Sequence, residues 1–367
     1  MLTTIAYSIM AFLLLRWSVV LYNLLHPAYL ASQTPSQFPL ISILIPVRNE
    51  EANIAPIMQQ INQLQYPRLE VFFLNDHSTD NTEEQLRMMI WQYPYASYSN
   101  SQPLPVNWLG KNWACHQLAK YANGKYLIFM DADIVSLDER LLSISVSAMQ
   151  TRKLSMLSIF PDQIMETKGE KFVVPLMHYI LLSLLPMWWI LKSKLIPFSA
   201  ANGQFLMFEA QSYQKHQWHK RVHNKIIEDI GIMRSVKRAG LKGMSYLGSG
   251  LIRCRMYRSY VEGLRGFSKN ILAGFGNSIP ALWIYMGIII PGELWASWML
   301  PWAWGLFALV LILSLKGMIA YLARQNIWEN LLYHPLQMLS MLWISGISTR
   351  NKIIGKNEWK GRNVQLQ

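Results

Sequence analysis

Lys125-Tyr-Leu-Ile-Phe-Met-Asp131-Ala-Asp133-Ile-Val135 is an apolar run that stops abruptly at two carboxylates one residue apart. Residues 126–130 read as a short buried strand. Asp131 and Asp133 then fall at its C-terminal end, where open α/β sheets place their ligands. On extended backbone an Asp-x-Asp pattern sends both side chains to the same side. Carboxylates held that way repel unless something positive lies between them. Mg2+ or Mn2+ carrying a diphosphate suits the pattern, because Mg2+ takes one or two carboxylates and completes its shell with phosphate oxygens. Two solvated aspartates at a strand exit would produce the same short pattern, so the flanking chain has to decide.

Working outward, residues 41–45 form a strand closed by Pro46, then a polar turn over 47–51 and a helix near 53–63. A second strand over 71–74 ends in Asn75-Asp76-His77-Ser78-Thr79-Asp80, where Ser78 or Thr79 can cap a helix running to about residue 89. Helices over 113–122 and 139–149, and strands near 154–159 and 244–247, continue the alternation. A turn and strand cover 202–208, and Glu228-Asp229 opens a helix that ends at Gly240. Strands alternating with helices predict an α/β domain with a largely parallel sheet. Polar clusters at 48–51, 76–80 and 131–133 then line one edge of it.

The 367 residues are 52% hydrophobic and only 15% charged, with a mean hydropathy of +0.14. That balance suits a soluble domain joined to membrane segments. The net charge of +13 comes with no basic arm or nucleic-acid motif, so no nucleic-acid partner is expected. Lysines and arginines beside apolar segments instead fit the cytoplasmic side of a membrane. Cys115 and Cys254 have no metal-ligand spacing, which points to a reducing compartment. His219 and His223 stand four apart and read as part of a polar surface.

Residues 1–27 carry an apolar run long enough to span a bilayer, without a basic stretch before it or a clear cleavage site, and are expected to be a retained anchor. The α/β domain covers 38–270. Within it, 172–191 is either a helix at the membrane interface or a buried helix of the soluble domain. Three apolar segments lie within 279–349, and 350–367 is a basic tail. A cytoplasmic domain and a cytoplasmic tail require an even number of crossings between them. The segment 331–349, with His334, Pro335 and Gln337, is the weakest spanner and is expected to be interfacial, re-entrant or sharply broken. Pro291-Gly292-Glu293 makes 280–298 suspect as well.

In this order, Pro46…Glu50, Asn75-Asp76-His-Ser-Thr-Asp80, Gly110-Lys111, Asp131-x-Asp133, Glu228-Asp229 and Arg253-x-Arg255-Met-Tyr257 resemble a family 2 glycosyltransferase of the GT-A fold. Trp108-Leu-Gly110-Lys111-Asn-Trp113-Ala-Cys115, Arg255-Met-Tyr257, His334-Pro335-Leu336 and Glu358-Trp359-Lys360-Gly361-Arg362 resemble its membrane-bound subgroup of carotenoid-acid (4,4'-diaponeurosporenoate) glycosyltransferases. The resemblance implies an inverting hexosyltransferase in the plasma membrane, with its catalytic domain cytoplasmic. It implies a nucleotide-sugar donor, UDP-linked, a lipophilic acceptor, contact with membrane lipid, and Mg2+ or Mn2+. The favoured acceptor is a carotenoid or terpenoid acid. Sphingoid, diacylglycerol, hopanoid or polyprenyl-phosphate acceptors are the alternative, and a degenerate transferase serving as a membrane scaffold is the non-enzymatic one. Pro46, Val47, Glu50 and Asp76 would border the nucleoside, and Lys111, Arg255 and Tyr257 the diphosphate side. Asp131 would face the nucleotide and metal, with Asp133 the principal metal ligand. Asp229, or Glu228 beside it, would be the base. Met256 departs from the family's usual Trp, which lowers the expectation of a processive polymerase.

Overall fold

The computed structural model describes residues 1–355, and the backbone of 358–359 and 362–363. The side chains of the tail motif Glu358–Arg362 lie outside the described residues. The chain divides into two compact units. Of the described residues, one unit holds 28–164 and 188–256; the other holds 1–27, 165–187 and 257–355.

The first unit is built on a seven-stranded sheet. In sequence its strands are β1 (Ile41–Val47), β2 (Leu69–Asn75), β3 (Ala96–Asn100), β4 (Tyr126–Met130), β6 (Met156–Phe160), β8 (Phe205–Glu209) and β9 (Gly243–Leu247). In space the order is β3-β2-β1-β4-β8-β6-β9. β5 (Ile134–Leu137), β7 (Asp162–Gln163) and β10 (Ile252–Cys254) make a small separate sheet. Residues 126–130 are all buried. That is the physical reason for their unbroken apolar character, since a strand covered on both faces has no polar side to present. β1, β2 and β4 are parallel, as the alternation with helices predicts. The exception is β8, which runs antiparallel to both β4 and β6.

Several boundaries differ from the sequence reading. β4 ends at Met130 and Ala132-Asp133 form a turn, so the shared-side argument for Asp-x-Asp on extended backbone does not apply. The helix expected over 113–122 spans Gly110–Leu118 and puts Lys111 on its first turn. Neither Ser78 nor Thr79 caps the next helix. Asn81 precedes Thr82–Gln92, and Asp80 accepts from the Thr82 amide at 3.1 Å. β3 was not anticipated, because Ala-Ser-Tyr-Ser-Asn is polar and lies at the sheet edge.

The second unit is helical. Residues 172–191 do not form one helix. Lys168–Val173 and Pro175–Leu184 are separate, and Pro186 ends the run before the short Trp189–Lys192 turn of the other unit. A proline cannot donate its backbone N–H and starts helices better than it continues them. Ser259 and Thr167 each cap a helix, accepting from Glu262 and Glu170 three residues on. Three helical stretches are long and apolar enough to cross a membrane, at Leu2–Leu25, Ile279–Met299 and Trp302–Leu322. The segment expected at 331–349 is interrupted at Tyr333, between Ile327–Leu332 and the helix His334–Ile353, and is not among the three.

Gly124 precedes β4 and donates its amide to Ser42 Oγ at 2.8 Å. A Cβ at this position would lie 2.6 Å from the Ser42 backbone nitrogen on β1. Gly124→Ala is therefore expected to spread the β1–β4 start and cost about 1–3 kcal/mol, read as a fall in thermal midpoint with an unchanged far-UV circular dichroism spectrum at low temperature.

Candidate active site

The parallel register of β1 with β2 and β4 carries 47–50, 75–80 and 131–133 to one sheet edge. The reversed β8 begins there too, since Phe205 pairs with Met130. Gly203-Gln204 therefore join the edge. The head of the helix Glu228–Arg238 and the start of Gly110–Leu118 close around it through side-chain contacts.

One half of the edge is two knitted loops. Asn49 and His77 both adopt left-handed backbone, φ +53° each, a conformation that Asn and His tolerate better than most residues. The Asn49 amide donates to Ser78 Oγ at 2.9 Å, and its Oδ1 accepts from the Thr79 amide at 2.8 Å. Arg48 donates to the Asp76 carbonyl at 2.8 Å. Asp76 and Val47 are buried, Pro46 is half-buried, and the Glu50 carboxylate accepts from Asn53 at 2.6 Å.

The other half centres on Lys111. Its Nζ donates to Asp131 at 2.8 Å, sits 3.3 Å from Glu228, and reaches the Gly203 carbonyl at 3.4 Å. Burial opposes its charge, but Asp131 and Glu228 outweigh burial and hold the ammonium well above the usual lysine range. Asp133 has different partners. Its Oδ2 accepts from Gln204 Nε2 at 3.1 Å, and the same amide lies 2.6 Å from Cys254 Sγ. Burial, reinforced by Asp131, pushes the Asp133 carboxyl up to about 7. Asp133 Oδ1 is sealed from solvent with no hydrogen-bond partner.

Asp229 accepts from the Gly203 amide at 2.9 Å through Oδ2 and from the Ile230 amide at 2.7 Å through Oδ1. Burial, then the neighbouring Glu228, pushes its carboxyl up to about 7. Lys111, Asp131, Glu228 and Asp229 thus form one connected group, with Asp133 beside it on Gln204. Arg255 is half-buried just beyond β10. Tyr257 belongs to the helical unit, where it is buried edge-on to Phe267 at 5.3 Å between ring centres.

Three residues escaped the sequence reading. At Gly203 a Cβ would stand 3.0 Å from Glu228 Oε1 and 3.1 Å from Lys111 Nζ, so the group closes only around a glycine. Asn-Gly-Gln was legible as a turn, but not as a partner of residues 92 and 26 positions away. Buried Asn112 reaches the carbonyls of Val222, His223 and Lys225 at 2.8, 3.2 and 3.1 Å, pinning the loop before Glu228 to the helix that carries Lys111. His219 is not on a polar surface. It is buried against the Tyr213 hydroxyl at 2.7 Å, and burial drives its imidazole down to about 3.

A divalent cation fits this edge in a limited way. Among the described residues no group of three or more His, Cys, Asp or Glu side chains could hold one. The partnerless Asp133 Oδ1, with Asp131 two residues before it, matches instead a cation that takes one or two carboxylates and draws its other ligands from a bound phosphate.

Residues 42–192 match the family model described as Glycosyl transferase family 2. The chain is 25% identical over 341 residues to a 4,4'-diaponeurosporenoate glycosyltransferase of Staphylococcus aureus, covering 89% of this chain and 88% of the relative. It is 27% identical over 242 residues to the protein of that name in Staphylococcus haemolyticus, covering 65% of this chain and 63% of that relative's length. Among solved structures, a mannosyltransferase from Pyrobaculum calidifontis, in complex with GDP-Man and Mn2+, superposes with a TM-score of 0.58 at 16% identity, covering 96% of this chain and 99% of that one. The fold is of the GT-A type, a mixed α/β sheet with apolar helices in the N- and C-terminal regions.

The raised Asp229 carboxyl has a sign. Its folded-state proton affinity exceeds the unfolded one, so the native chain binds the extra proton between pH 4 and 7. Stability contributed at low pH is lost as pH rises through that window, and the loss is complete above 7. Asp229→Asn removes the titration. The thermal midpoint of the variant relative to the parent is expected to rise between pH 4 and 7 and then stay flat, on top of a constant offset from the altered hydrogen bonds. A parallel pair of melting curves at every pH would rule this out.

Proposed function

We propose that the chain, which is similar over residues 42–192 to family 2 glycosyltransferases and along most of its length to a named glycosyltransferase, is such an enzyme and transfers a hexose, with inversion, from a UDP-sugar to a lipophilic acid at the cytoplasmic face of the membrane. The observation that carries this reading is the acidic edge knotted by Lys111, with the partnerless Asp133 oxygen beside it. The carboxylate of Asp76 suits the imide N–H of uracil. Lys111 meets the donor diphosphate as a point charge, leaving Asp131 free to turn toward the cation. Pro46, Val47 and Glu50 border the nucleoside, and Arg255 supports the diphosphate.

Asp131 and Asp133 would hold Mg2+ or Mn2+, which when bound supplies a Lewis acid for the charge on the leaving diphosphate. Asp229 is the base. Its carboxyl titrates near neutrality, which suits a group that takes a proton from an attacking hydroxyl at cellular pH. The relatives' name is that of a carotenoid acid glycosyltransferase. A carboxylate acceptor brings no proton to remove, so Asp229 would then matter less than Asp133. The crossings fit the same picture. The helix Leu2–Leu25 brings the chain into the cytoplasm, and Ile279–Met299 and Trp302–Leu322 return it there. Arg350 and Lys352 then lie on the cytoplasmic side.

Purified protein in detergent, offered a panel of UDP- and GDP-sugars with Mg2+ or Mn2+, is expected to turn over one UDP-sugar. Asp133→Ala should lose at least about a hundredfold in rate. With a carotenoid-type acid as acceptor, Asp229→Asn should lose far less; with an alcohol acceptor the two losses should be similar. Absence of nucleotide binding under either metal would overturn the reading.

A further inference from the structure

The small sheet runs in register with the aspartate edge. Cys254 on β10 pairs with Ile134 on β5 on one side and with Gln163 on β7 on the other. Asp133 stands one residue before Ile134, and Gln204 one residue before the start of β8. All of these residues belong to the sheet unit.

A directed chain of hydrogen bonds crosses that register. It starts at the Pro161 carbonyl, which can only accept. Gln163 Nε2 donates to that carbonyl at 3.1 Å and to Gln204 Oε1 at 3.3 Å. The Gln163 amide is thereby oriented, and it orients the next one. Gln204 turns its oxygen to Gln163 and its nitrogen to Asp133, donating to Oδ2 at 3.1 Å. Both glutamines are buried, so little water competes to reverse either amide. The backbone of Gln204 is held as well. Its amide donates to Asn202 Oδ1 at 2.8 Å, and its carbonyl accepts from the Asp131 amide at 3.2 Å. The arrangement costs stability, because Gln163 Oε1 is buried with no hydrogen-bond partner and an apolar side chain of similar shape would avoid that loss. What it secures is the direction of one carboxylate. A carboxylate held at one oxygen by a fixed donor presents its other oxygen at a constant angle. In Asp133 that other oxygen is the partnerless Oδ1.

We infer that Gln204, oriented by Gln163, is the positioning residue for Asp133: it holds Oδ2 and reserves Oδ1 for the divalent cation. Both glutamines act through Asp133. The inference rests on the proposed role of Asp133 as a cation ligand.

The test counts free Mn2+ by electron paramagnetic resonance in titrations of the full chain in detergent with saturating UDP. Gln204→Met, which keeps the length of the side chain and removes its donor, is expected to weaken Mn2+ binding at least about tenfold. Gln163→Met should weaken it about threefold. Added to Gln204→Met, the same change should have no further effect, since Gln163 acts only through Gln204. Far-UV circular dichroism monitors the fold of each variant. Should Gln204→Met not fold, Gln163→Met alone decides. Equal Mn2+ affinity in the parent and the folded single variants, or additive losses in the double variant, would overturn the inference and leave Asp133 as a ligand. A parent that binds no Mn2+, or whose Mn2+ binding survives Asp133→Ala, would remove the role of Asp133 and this inference together.

Discussion

The ammonium of Lys111 is the contact on which the candidate active site depends. It ties three elements that are far apart in sequence. The helix Gly110–Leu118 supplies the lysine, the exit of β4 supplies Asp131, and the head of Glu228–Arg238 supplies Glu228. Without that charge the two acids would face each other across a partly buried gap, and like charges so placed cannot both stay ionised cheaply. The rest of the group is arranged to let Lys111 reach. Gly203 omits the side chain that would crowd it, and Asn112, the next residue along the helix, holds the approach to Glu228 in place.

The edge is short of positive charge even so. Two of its carboxyls, Asp133 and Asp229, are pushed to about 7, first by burial and then by an acidic neighbour. A protein optimised only for stability would not keep both. Such groups persist where a ligand will use them. The excess is local, since the chain as a whole carries +13. On the proposed reading, a cation with its attached diphosphate would suit such an edge, the cation answering the aspartates and Lys111 the phosphate.

What could be read from the sequence follows from what local pattern encodes. β1, β2 and β4 announce themselves because buried parallel strands must be apolar throughout. Their polar exits then place Asp76, Asp131 and Asp133 on one edge with no further information. The direction of β8 is not encoded locally. A strand reads the same whichever way it runs, yet only the antiparallel direction brings Gly203 and Gln204 to Lys111, Asp133 and Asp229. β3 stayed hidden because an edge strand need not be apolar. Lys111 was legible as a residue of interest but not as a helix residue, since Gly110 is an unusual first position. His219 misled because its neighbours in sequence are polar, whereas its neighbours in space are Phe129, Phe208 and Tyr213.

The helical unit shows the same separation of local and distant information. Pro291-Gly292-Glu293 reads as damage to a membrane span. A proline withholds a hydrogen bond, and a charged residue follows it. In the folded chain the defect is absorbed by one wide turn, Ile288–Gly292, between Ile279–Gly287 and Glu293–Met299. Gly292 permits it, because a Cβ there would lie 2.7 Å from the Gly287 carbonyl oxygen. Glu293 follows directly and meets Arg16. Proline and glycine therefore set the turn that positions the acid, and the acid answers an arginine that would otherwise be unpaired. Two apparent faults, a charge in each of two spans, become one neutral contact that fixes those helices against each other. Lys316, an ionisable residue in a third span, has no such partner among the described residues.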